Sequence, residues 1–323
     1  MSPTRRQAAI GLVTAGAASM PLGRALAQAA APFVQTVAVA PAETQGADEA
    51  DEILDAGADK FTHMMAPVQI NGRGPYQFVL DTGANISCVS HALVDQLNLQ
   101  PGRPRRVHTI VGVRERPSVV IDELMVGNRA RRDVEAPALP IKGPHIDGIL
   151  GVDWLKGQRL VLDFRKNAIE ITKSRADHPQ AGRVVVVPAR RKHGQLTIVD
   201  ADLNGTRINA IIDSGAQGTL CNRPLRDLVR ASERRRGKQD PPQYVRMESL
   251  AGEVFRGESV FLPFLRLGGL HLGNVPVTYA DMHVFKIWEL ETRPALVIGM
   301  DLLSQFEQVA LDFGRSAVRF EYV

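Results

Sequence analysis

Short apolar runs separated by polar turn residues dominate the chain from about residue 61 onward. Runs such as Val184–Val187 and Ile208–Ile212 are bounded by Gly, Asn and Pro, which is the pattern of β-strands joined by turns. Asn71-Gly72 and Asn204-Gly205 each lie between two apolar runs, and this dipeptide is the strongest short-range signal for a β-hairpin. The pattern therefore predicts a mostly β protein.

Helical periodicity is confined to a few short segments. Helices are predicted at His91–Leu97, at Pro224–Ala231, from Trp154 onward and from Leu302 onward. Asp153 and Asp301 stand just before the last two segments and suit the N-cap position. Asp163 and Asp312 each lie in a Leu-Asp-Phe triplet, so we expect them to be strand residues that face solvent.

The apolar pattern occurs twice, as an internal repeat. The first copy contains Tyr76–Ser87 and Gly148–Leu155, and the second contains Ile208–Thr219 and Leu296–Leu303. Each copy reads as an apolar strand, then Asp-Thr/Ser-Gly-Ala, and later an apolar-apolar-Gly-x-Asp-x-Leu block. The repeat predicts two lobes, residues 61–175 and residues 182–323, with a junction where charged residues, Pro and Gly interrupt the apolar pattern.

The N-terminal segment has the pattern of an export signal. Arg5-Arg6 precedes a weakly apolar run, and Ala25-Leu26-Ala27 is a small-x-small cleavage pattern, so residues 1–27 are predicted to be a signal peptide of the twin-arginine type. The mature protein would then be periplasmic or secreted. The run is too short for a stable membrane anchor, and a disordered basic tail is the alternative. Residues 28–60, rich in Ala and Pro and then acidic, predict a flexible leader or, alternatively, a regulatory prosegment.

Composition and charge exclude several classes of protein. The chain has 323 residues, of which 44% are hydrophobic, and its pI is about 9.2, a composition that excludes collagen-like and wholly disordered proteins. Removing residues 1–27 removes three arginines and leaves basic and acidic residues almost equal in number, so no nucleic-acid partner is indicated. Cys88 and Cys221 are too few for a disulfide framework and are predicted to be buried thiols. No metal site is predicted, since His63 with two methionines more often packs than binds copper.

The repeated acidic loops are the strongest chemical signal. Asp81 follows the apolar residues Phe78–Leu80, and Asp213 follows Ala210–Ile212, so each carboxylate should emerge from a core at a tight turn. A buried carboxylate needs hydrogen-bond donors, which the backbone N–H groups of such a turn can supply. One such tetrapeptide is a weak signal, but two copies with matching downstream blocks are not explained by chance.

With these motifs the sequence resembles the retropepsin-like (retroviral-type) aspartic proteases, in a fused two-lobe form of the bacterial type. The resemblance covers Phe61 to Val323 and implies an all-β, bilobal aspartic-protease (pepsin/retropepsin-like) fold, with two pseudo-twofold related lobes and few short helices. It implies that Asp81 and Asp213 form the catalytic dyad. The residues that the resemblance assigns to support of the dyad are Thr82, Gly83, Ala84, Ser214, Gly215 and Ala216.

Two segments match the flaps of that family in position. They are His108–Val113, with Gly112 at its tip, and Glu248–Val254, with Gly252. Neither contains the tyrosine of pepsin-type flaps, and Val152 and Met300 stand where retroviral members carry arginine. The replacement of that arginine by Val152 and Met300 resembles eukaryotic and bacterial relatives.

The resemblance implies an exported aspartic endopeptidase that acts on peptide or protein substrates with a water activated by the dyad. It implies no metal or other cofactor, and a monomer that is complete because both halves of the dyad lie in one chain. Alanine at positions 84 and 216 offers the dyad no hydroxyl donor, which favours activity at mildly rather than strongly acidic pH. The alternatives are a catalytically silent peptide-binding homologue and an actin-like phosphotransferase, which would need long helices and βαβ alternation.

Overall fold

The structure, a computed structural model, describes residues 63–110, 112–141, 145–176, 183–192, 194–237 and 241–322. The predicted signal peptide and leader, residues 1–60, lie outside this part of the chain. As predicted, the described residues form mostly strands. No helix within the described ranges is long and apolar enough to cross a membrane.

The first half of the described chain contains strands β1 to β11 and two short helices. The strands are β1 (Met65–Ile70), β2 (Arg73–Leu80), β3 (Cys88–Ser90), β4 (Gln100–Pro101), β5 (Arg105–His108), β6 (Val113–Arg116), β7 (Ser118–Val126), β8 (Arg129–Leu139), β9 (Gly148–Leu150), β10 (Gln158–Asp163) and β11 (Ala168–Lys173). The helices are α1 (His91–Leu97) and a 3-10 helix (Val152–Leu155).

The second half contains strands β12 to β21 and three helices. The strands are β12 (Val184–Lys192), β13 (Gln195–Leu203), β14 (Thr206–Ile212), β15 (Leu220–Cys221), β16 (Gln243–Glu248), β17 (Val254–Leu267), β18 (Leu270–Tyr279), β19 (Ala295–Ile298), β20 (Gln308–Asp312) and β21 (Ala317–Glu321). The helices are α2 (Arg223–Arg235), α3 (His283–Ile287) and α4 (Met300–Leu303).

Two sheets with the same internal order reproduce the sequence repeat. The first runs β1-β2-β9-β3-β8-β7-β4, and an extra pairing of β1 with β7 curls it toward a barrel. The second contains the order β13-β14-β19-β15-β18-β17, and β13 pairs with β17 in the same way. In each sheet the strand that precedes the Asp-Thr/Ser-Gly-Ala loop pairs in parallel with the strand of the apolar-apolar-Gly block, as β2–β9 and as β14–β19.

A third group of strands joins the two halves. Its order is β11-β10-β20-β21-β12, and it continues into the second lobe's sheet through β12 and β13. The pairing between the halves is antiparallel between β10 and β20, with Leu160 opposite Leu311. The boundary predicted between residues 175 and 182 falls between β11 and β12. Strand β10, which precedes this boundary in the chain, pairs with β20 near the end of the chain, and β11 pairs with β10.

The two Asn-Gly hairpins form as the sequence predicts. Asn71 and Gly72 have φ angles of 51° and 73°, and Asn204 and Gly205 have φ angles of 50° and 85°. Two consecutive positive φ values are the requirement of a type I′ turn, which Asn-Gly meets at low steric cost. Both turns therefore set the register of the strands that lead to the acidic loops.

The expectation that Asp163 and Asp312 face solvent is wrong. Their exposed fractions are 1% and 2%. Each residue ends a strand and begins a tight turn, so its carboxylate folds back over the N–H groups of that turn. Lys166 N donates to Asp163 Oδ1 at 2.9 Å, and Arg315 N donates to Asp312 Oδ1 at 2.8 Å.

The predicted N-cap roles of Asp153 and Asp301 are also wrong. Both helices begin two residues earlier than predicted, after the N-caps Gly151 and Gly299, which places each aspartate inside the first turn. Both carboxylates accept hydrogen bonds from hydroxyl groups beneath the acidic loops, and Asp301 Oδ1 also accepts from Leu302 N at 2.7 Å. Cys88 and Cys221 are buried free thiols, as predicted.

Candidate active site

The two acidic loops emerge from fully buried strand ends. Leu80 and Ile212, which precede Asp81 and Asp213, have no exposed surface. Asp81 N donates to Leu150 O at 3.0 Å, and Asp213 N donates to Ile298 O at 3.0 Å. The same hydrogen bond to the neighbouring parallel strand thus fixes the start of each loop.

The structure brings the two predicted catalytic aspartates together. Gly83 N donates to Asp81 Oδ1 at 2.8 Å and to Asp213 Oδ1 at 3.1 Å, so one N–H group contacts both carboxyl groups. Gly215 N donates to Asp213 Oδ1 at 2.9 Å. The two carboxyl groups are close enough for each to shift the pKa of the other. A pair of carboxyl groups in this arrangement can share one proton.

Glycine is required at the third position of each loop. A Cβ atom at Gly83 would overlap the carboxylate of Asp213, and a Cβ atom at Gly215 would overlap the carboxyl group of Asp81. No side chain can therefore stand at either position without separating the two acids. This steric limit explains why both copies of the loop read Asp-Thr/Ser-Gly.

Burial is the main electrostatic influence on the pair. It raises the pKa of Asp81 well above the usual value, and the charge of Asp213 raises it further, while the N–H groups of Ala84 and Gly83 act in the opposite direction. Burial also raises the pKa of Asp213, against the lowering effect of Asp81 and of backbone N–H donors. The pair therefore holds a proton at pH values at which two isolated carboxyl groups would both be ionised.

Thr82 and Ser214 interlock the two loops. Thr82 N donates to Ser214 Oγ at 3.1 Å, and Ser214 N donates to Thr82 Oγ1 at 3.0 Å. Thr82 Oγ1 donates in turn to Ile212 O at 3.0 Å, and Ser214 Oγ donates to Leu80 O at 2.8 Å. Each hydroxyl group thus accepts a hydrogen bond from one loop residue across the interface and donates one to the strand that carries the opposite aspartate.

A hydroxyl–carboxylate pair lies beneath each loop. Ser87 Oγ donates to Asp153 Oδ1 at 2.8 Å and accepts from Gly151 N at 3.1 Å. Thr219 Oγ1 donates to Asp301 Oδ1 at 2.6 Å and accepts from Gly299 N at 3.1 Å. The sequence analysis missed these pairs, although the repeat alignment contains a signal for them. In both copies the hydroxyl residue lies six residues after the aspartate of the acidic loop. The carboxylate that it contacts lies two residues after the glycine of the apolar-apolar-Gly block.

Two further side chains reach the loops from other elements. Gln195 Nε2 donates to Gly83 O at 2.7 Å, and its side-chain oxygen faces Trp288 Nε1 at 3.4 Å. His63 Nε2 lies 3.1 Å from Gly215 O. Neither residue lies near the acidic motifs in sequence, so no local signal could have indicated them.

The dyad lies at the floor of a cleft of about 1150 Å³. The first-lobe wall includes Cys88, Leu139 and Ile149, and the second-lobe wall is larger and includes Met247 and Trp288. Burial raises the pKa of the Cys88 thiol to about 12, so this thiol is protonated and packs as an apolar group.

Both segments predicted as flaps are hairpin turns that line this cleft. In the β5–β6 hairpin Thr109 N donates to Gly112 O at 2.7 Å. In the β16–β17 hairpin Gly252 N donates to Ser249 O at 2.8 Å, and Gly252 has a φ angle of 76°. Residues of both turns belong to the cleft lining.

The first hairpin rests on the second lobe. His283 N donates to Ile110 O at 2.7 Å, and His108 Nδ1 lies 3.2 Å from His283 Nε2. The two imidazole rings are stacked, with centroids 5.5 Å apart. Thr109 Oγ1 also donates to Glu253 Oε1 of the second hairpin at 3.2 Å. The two hairpins therefore meet across the cleft.

Comparison with known proteins agrees with this geometry. The model of a family described as aspartyl protease matches residues 66–154 and 199–302, which include both acidic loops and both apolar-apolar-Gly blocks. The chain belongs to this aspartyl protease family. The mostly β fold with two similar lobes is inconsistent with an actin-like phosphotransferase, which would need long helices and βαβ alternation.

Solved structures similar to this aspartyl protease family member share little sequence with it. A retropepsin-like aspartic protease from Rickettsia conorii is 18% identical, with 43% of this chain and 90% of that chain covered and a TM-score of 0.29. Basic 7S globulin from soybean is 12% identical, with 80% of this chain and 91% of that chain covered and a TM-score of 0.42. A protein titled edgp is 10% identical, with 80% of this chain and 94% of that chain covered and a TM-score of 0.36. No curated protein matches the sequence significantly.

Proposed function

We propose that the protein is an aspartic endopeptidase whose catalytic groups are Asp81 and Asp213. The observation that supports this proposal is the close approach of the two carboxyl groups, which both accept a hydrogen bond from the same N–H group of Gly83. Such a pair is suited to hold one proton, which general acid–base chemistry at one site requires.

The proposed reaction needs one ionised and one protonated carboxyl group. The ionised group takes a proton from a water molecule, whose oxygen attacks the scissile carbonyl carbon. The protonated group donates its proton to the carbonyl oxygen as that oxygen becomes negative. When the tetrahedral intermediate collapses, the C–N bond breaks and the leaving nitrogen takes the proton that the dyad holds. A hydroxyl proton of the intermediate passes to the dyad as the carbonyl group of the acid product forms, and the dyad is again singly protonated.

The surrounding residues hold this pair in place. The Thr82–Ser214 interlock fixes the distance between the loops, and the backbone N–H groups of Gly83 and Gly215 orient the carboxyl groups. The cleft, which has largely apolar walls, has the volume for an extended peptide between the dyad and the two hairpins. A polypeptide is therefore the substrate class that the site fits best.

Replacement of each aspartate tests the proposal. Asp81→Asn and Asp213→Asn should each reduce cleavage of casein and of a peptide library at least about a hundredfold, because residues that act as one unit fail together. Asp122→Asn, an exposed strand residue, is the matched control and should keep full activity. If the wild-type protein binds peptides but cleaves none at any pH at which it is folded, the protein is the catalytically silent homologue instead.

We propose in addition that the protein is exported through its first 27 residues. The support is the Arg5-Arg6 pair with the following apolar run and the Ala25-Leu26-Ala27 pattern. Cell fractionation and N-terminal sequencing should find a periplasmic or secreted protein that begins after residue 27. Replacement of both arginines by lysine should keep the uncleaved protein in the cytoplasm, since the twin-arginine route reads the arginines rather than their charge.

A further inference from the structure

Glu253 has a carboxylate oxygen that no other group of the described chain satisfies. Its Oε1 accepts from Thr109 Oγ1 of the opposite hairpin at 3.2 Å, while its Oε2 is buried and has no hydrogen-bond partner among the described residues. Burying an unpartnered carboxylate oxygen costs free energy that a neutral residue at this position would avoid. The position of Glu253 in the cleft lining suggests that its partner is a ligand of the cleft.

The backbone of the hairpin holds Glu253 in place. Ser249 N donates to Glu253 O at 2.9 Å, and Glu253 N donates to Ser249 Oγ at 3.1 Å. Since the two hairpins meet across the cleft, they must part to admit a peptide, and the Thr109–Glu253 hydrogen bond is broken as they do so. Both carboxylate oxygens then become available at the roof of the cleft, on a turn whose own hydrogen bonds stay intact.

The charge of the cleft lining points to a cationic group as the partner. Apart from the dyad, the charged lining residues are the acids Asp133, Glu135, Asp153, Glu248 and Glu253 and the arginines Arg105 and Arg106. Arg105 is already paired with Glu135, and Glu248 is paired with Arg246 at 3.8 Å. Beyond residue 27 the chain has almost equal numbers of basic and acidic residues, so the excess of acids in the cleft is a local feature of a nearly neutral protein. Walls of one charge sign in a low-dielectric cleft concentrate ligands of the opposite sign.

We infer that Glu253 is a specificity-determining residue that pairs with a lysine or arginine side chain of the substrate. This inference rests on the proposed function, and it narrows the substrate class to polypeptides with a basic residue near the scissile bond. A guanidinium group can donate to both oxygens of a carboxylate, and an ammonium group can replace the hydroxyl donor that Thr109 withdraws. Charge-assisted hydrogen bonds of this kind are stronger than neutral ones.

The first test is peptide cleavage by the full-length protein. A decapeptide library with all residues mixed at each position is cleaved, and the sites are read by mass spectrometry. We expect lysine and arginine to be enriched at one position beside the cleavage site. Two synthetic peptides that differ only by lysine or methionine at that position should differ at least about tenfold in kcat/KM in favour of lysine.

Variants then assign the preference to Glu253. In Glu253→Gln the ratio of kcat/KM for the lysine and methionine peptides should fall to near one, and Glu253→Lys should favour a glutamate peptide. Glu170→Gln removes the same charge from an exposed position on β11 and should leave the ratio unchanged. Circular dichroism establishes that each variant is folded.

Several outcomes would overturn the inference. They are a library without basic enrichment, a preference for asparagine or glutamine in its place, and an enrichment that survives in Glu253→Gln. All three leave the proposed peptidase activity standing. If the wild-type protein cleaves no peptide, the proposed peptidase function is wrong, but the inference about Glu253 can still be tested. The affinity of the protein for the same two peptides, fluorescently labelled, is then measured by fluorescence anisotropy. Equal affinity of the wild-type protein for the lysine and methionine peptides would then count against it.

Discussion

Asp301 is a buried acid beneath the second acidic loop, with an exposed fraction of 5%. Burial raises its pKa to about 6, although Thr219 and the N–H group of Leu302 donate to its carboxylate and lower the pKa in part. The folded protein therefore binds a proton at this site at pH values at which the unfolded chain, with the usual pKa of 3.8, does not.

The first prediction concerns the effect of Asp301 on stability. The protonated Asp301 carboxyl group stabilises the folded protein fully at pH values below its pKa in the unfolded chain. This stabilisation is lost as the pH rises through its pKa in the folded protein. The shift corresponds to about 3 kcal/mol of unfolding free energy between about pH 4 and pH 7. Asp301→Asn cannot ionise, so its unfolding free energy should decline less than that of the wild-type protein over this range. Urea unfolding at the two pH values measures the difference.

The exposed residue Asp122 supplies the control for that experiment. Asp122→Asn removes an acid from the solvent side of β7 and should keep the pH dependence of the wild-type protein. Equal pH dependence in Asp301→Asn and in the wild-type protein would mean that the buried carboxyl group is not the source of the effect.

The second prediction concerns the pH profile of catalysis. Burial raises the pKa of both dyad carboxyl groups, so the singly protonated pair persists toward neutral pH. We expect a bell-shaped profile of kcat/KM centred at mildly acidic pH. Ala84→Ser adds a donor beside Asp81, which should favour the ionised form, lower the pKa and move the acidic limb to lower pH. A wild-type optimum in strongly acidic solution would contradict this.

The sequence indicates some site residues and not others for a physical reason. Asp81, Gly83 and Thr82 belong to a short motif whose chemistry and turn geometry are local, so two copies of the motif suffice to predict them. Gln195 and Glu253 act on the site from distant strands and turns, and their positions depend on how those elements pack. Asp163 was misread because strand alternation says nothing of a turn that begins at that same residue.

The placement of the β5–β6 hairpin depends in part on contacts with the opposite lobe. Its turn contacts α3 through the Ile110–His283 hydrogen bond and the stacked pair His108 and His283. Within its own lobe the hairpin forms a separate two-stranded sheet. Its position over the cleft is therefore set by contacts that a few substitutions can remove.

The third prediction tests this placement. His283→Ala removes the imidazole contact but keeps the backbone donor at residue 283, so the hairpin should be loosened rather than released. Amide hydrogen exchange in residues 105–116 should rise about fivefold, because one hydrogen bond and one ring contact are lost. His271→Ala, at an exposed position on β18, is the control and should leave exchange in these residues unchanged. Exchange at the wild-type rate in His283→Ala would show that the His108 contact does not hold the hairpin.

At the scale of the whole molecule, the strands β10 and β20 bind the two halves into one unit. Five consecutive pairs of residues align across this junction, among them Leu160 with Leu311 and Leu162 with Val309. The sequence predicts the two lobes because each is a copy of the other. It does not predict this junction, because strand pairing across such a distance in the chain leaves no local pattern in either strand.

The fourth prediction follows from this one-chain construction. Both aspartates and both halves of the interlock are supplied by a single chain, so a monomer should be catalytically complete. Specific activity should stay constant on dilution, and sedimentation should show a monomer at the same concentrations. A steep fall of specific activity on dilution, together with a dimer in sedimentation, would contradict this.

The interlock of Thr82 and Ser214 has a consequence for how the protein tolerates amino-acid exchange. Each hydroxyl group serves the opposite loop, so the loss of one leaves an N–H donor and a carbonyl acceptor of the other loop without a partner. In a saturation mutagenesis survey, both positions should accept only serine and threonine. The exchanged pair, Thr82→Ser with Ser214→Thr, should survive where alanine at either position does not. Although the lobe is duplicated, one loop therefore cannot replace the other. A substitution in either loop is constrained by the backbone groups of the opposite loop.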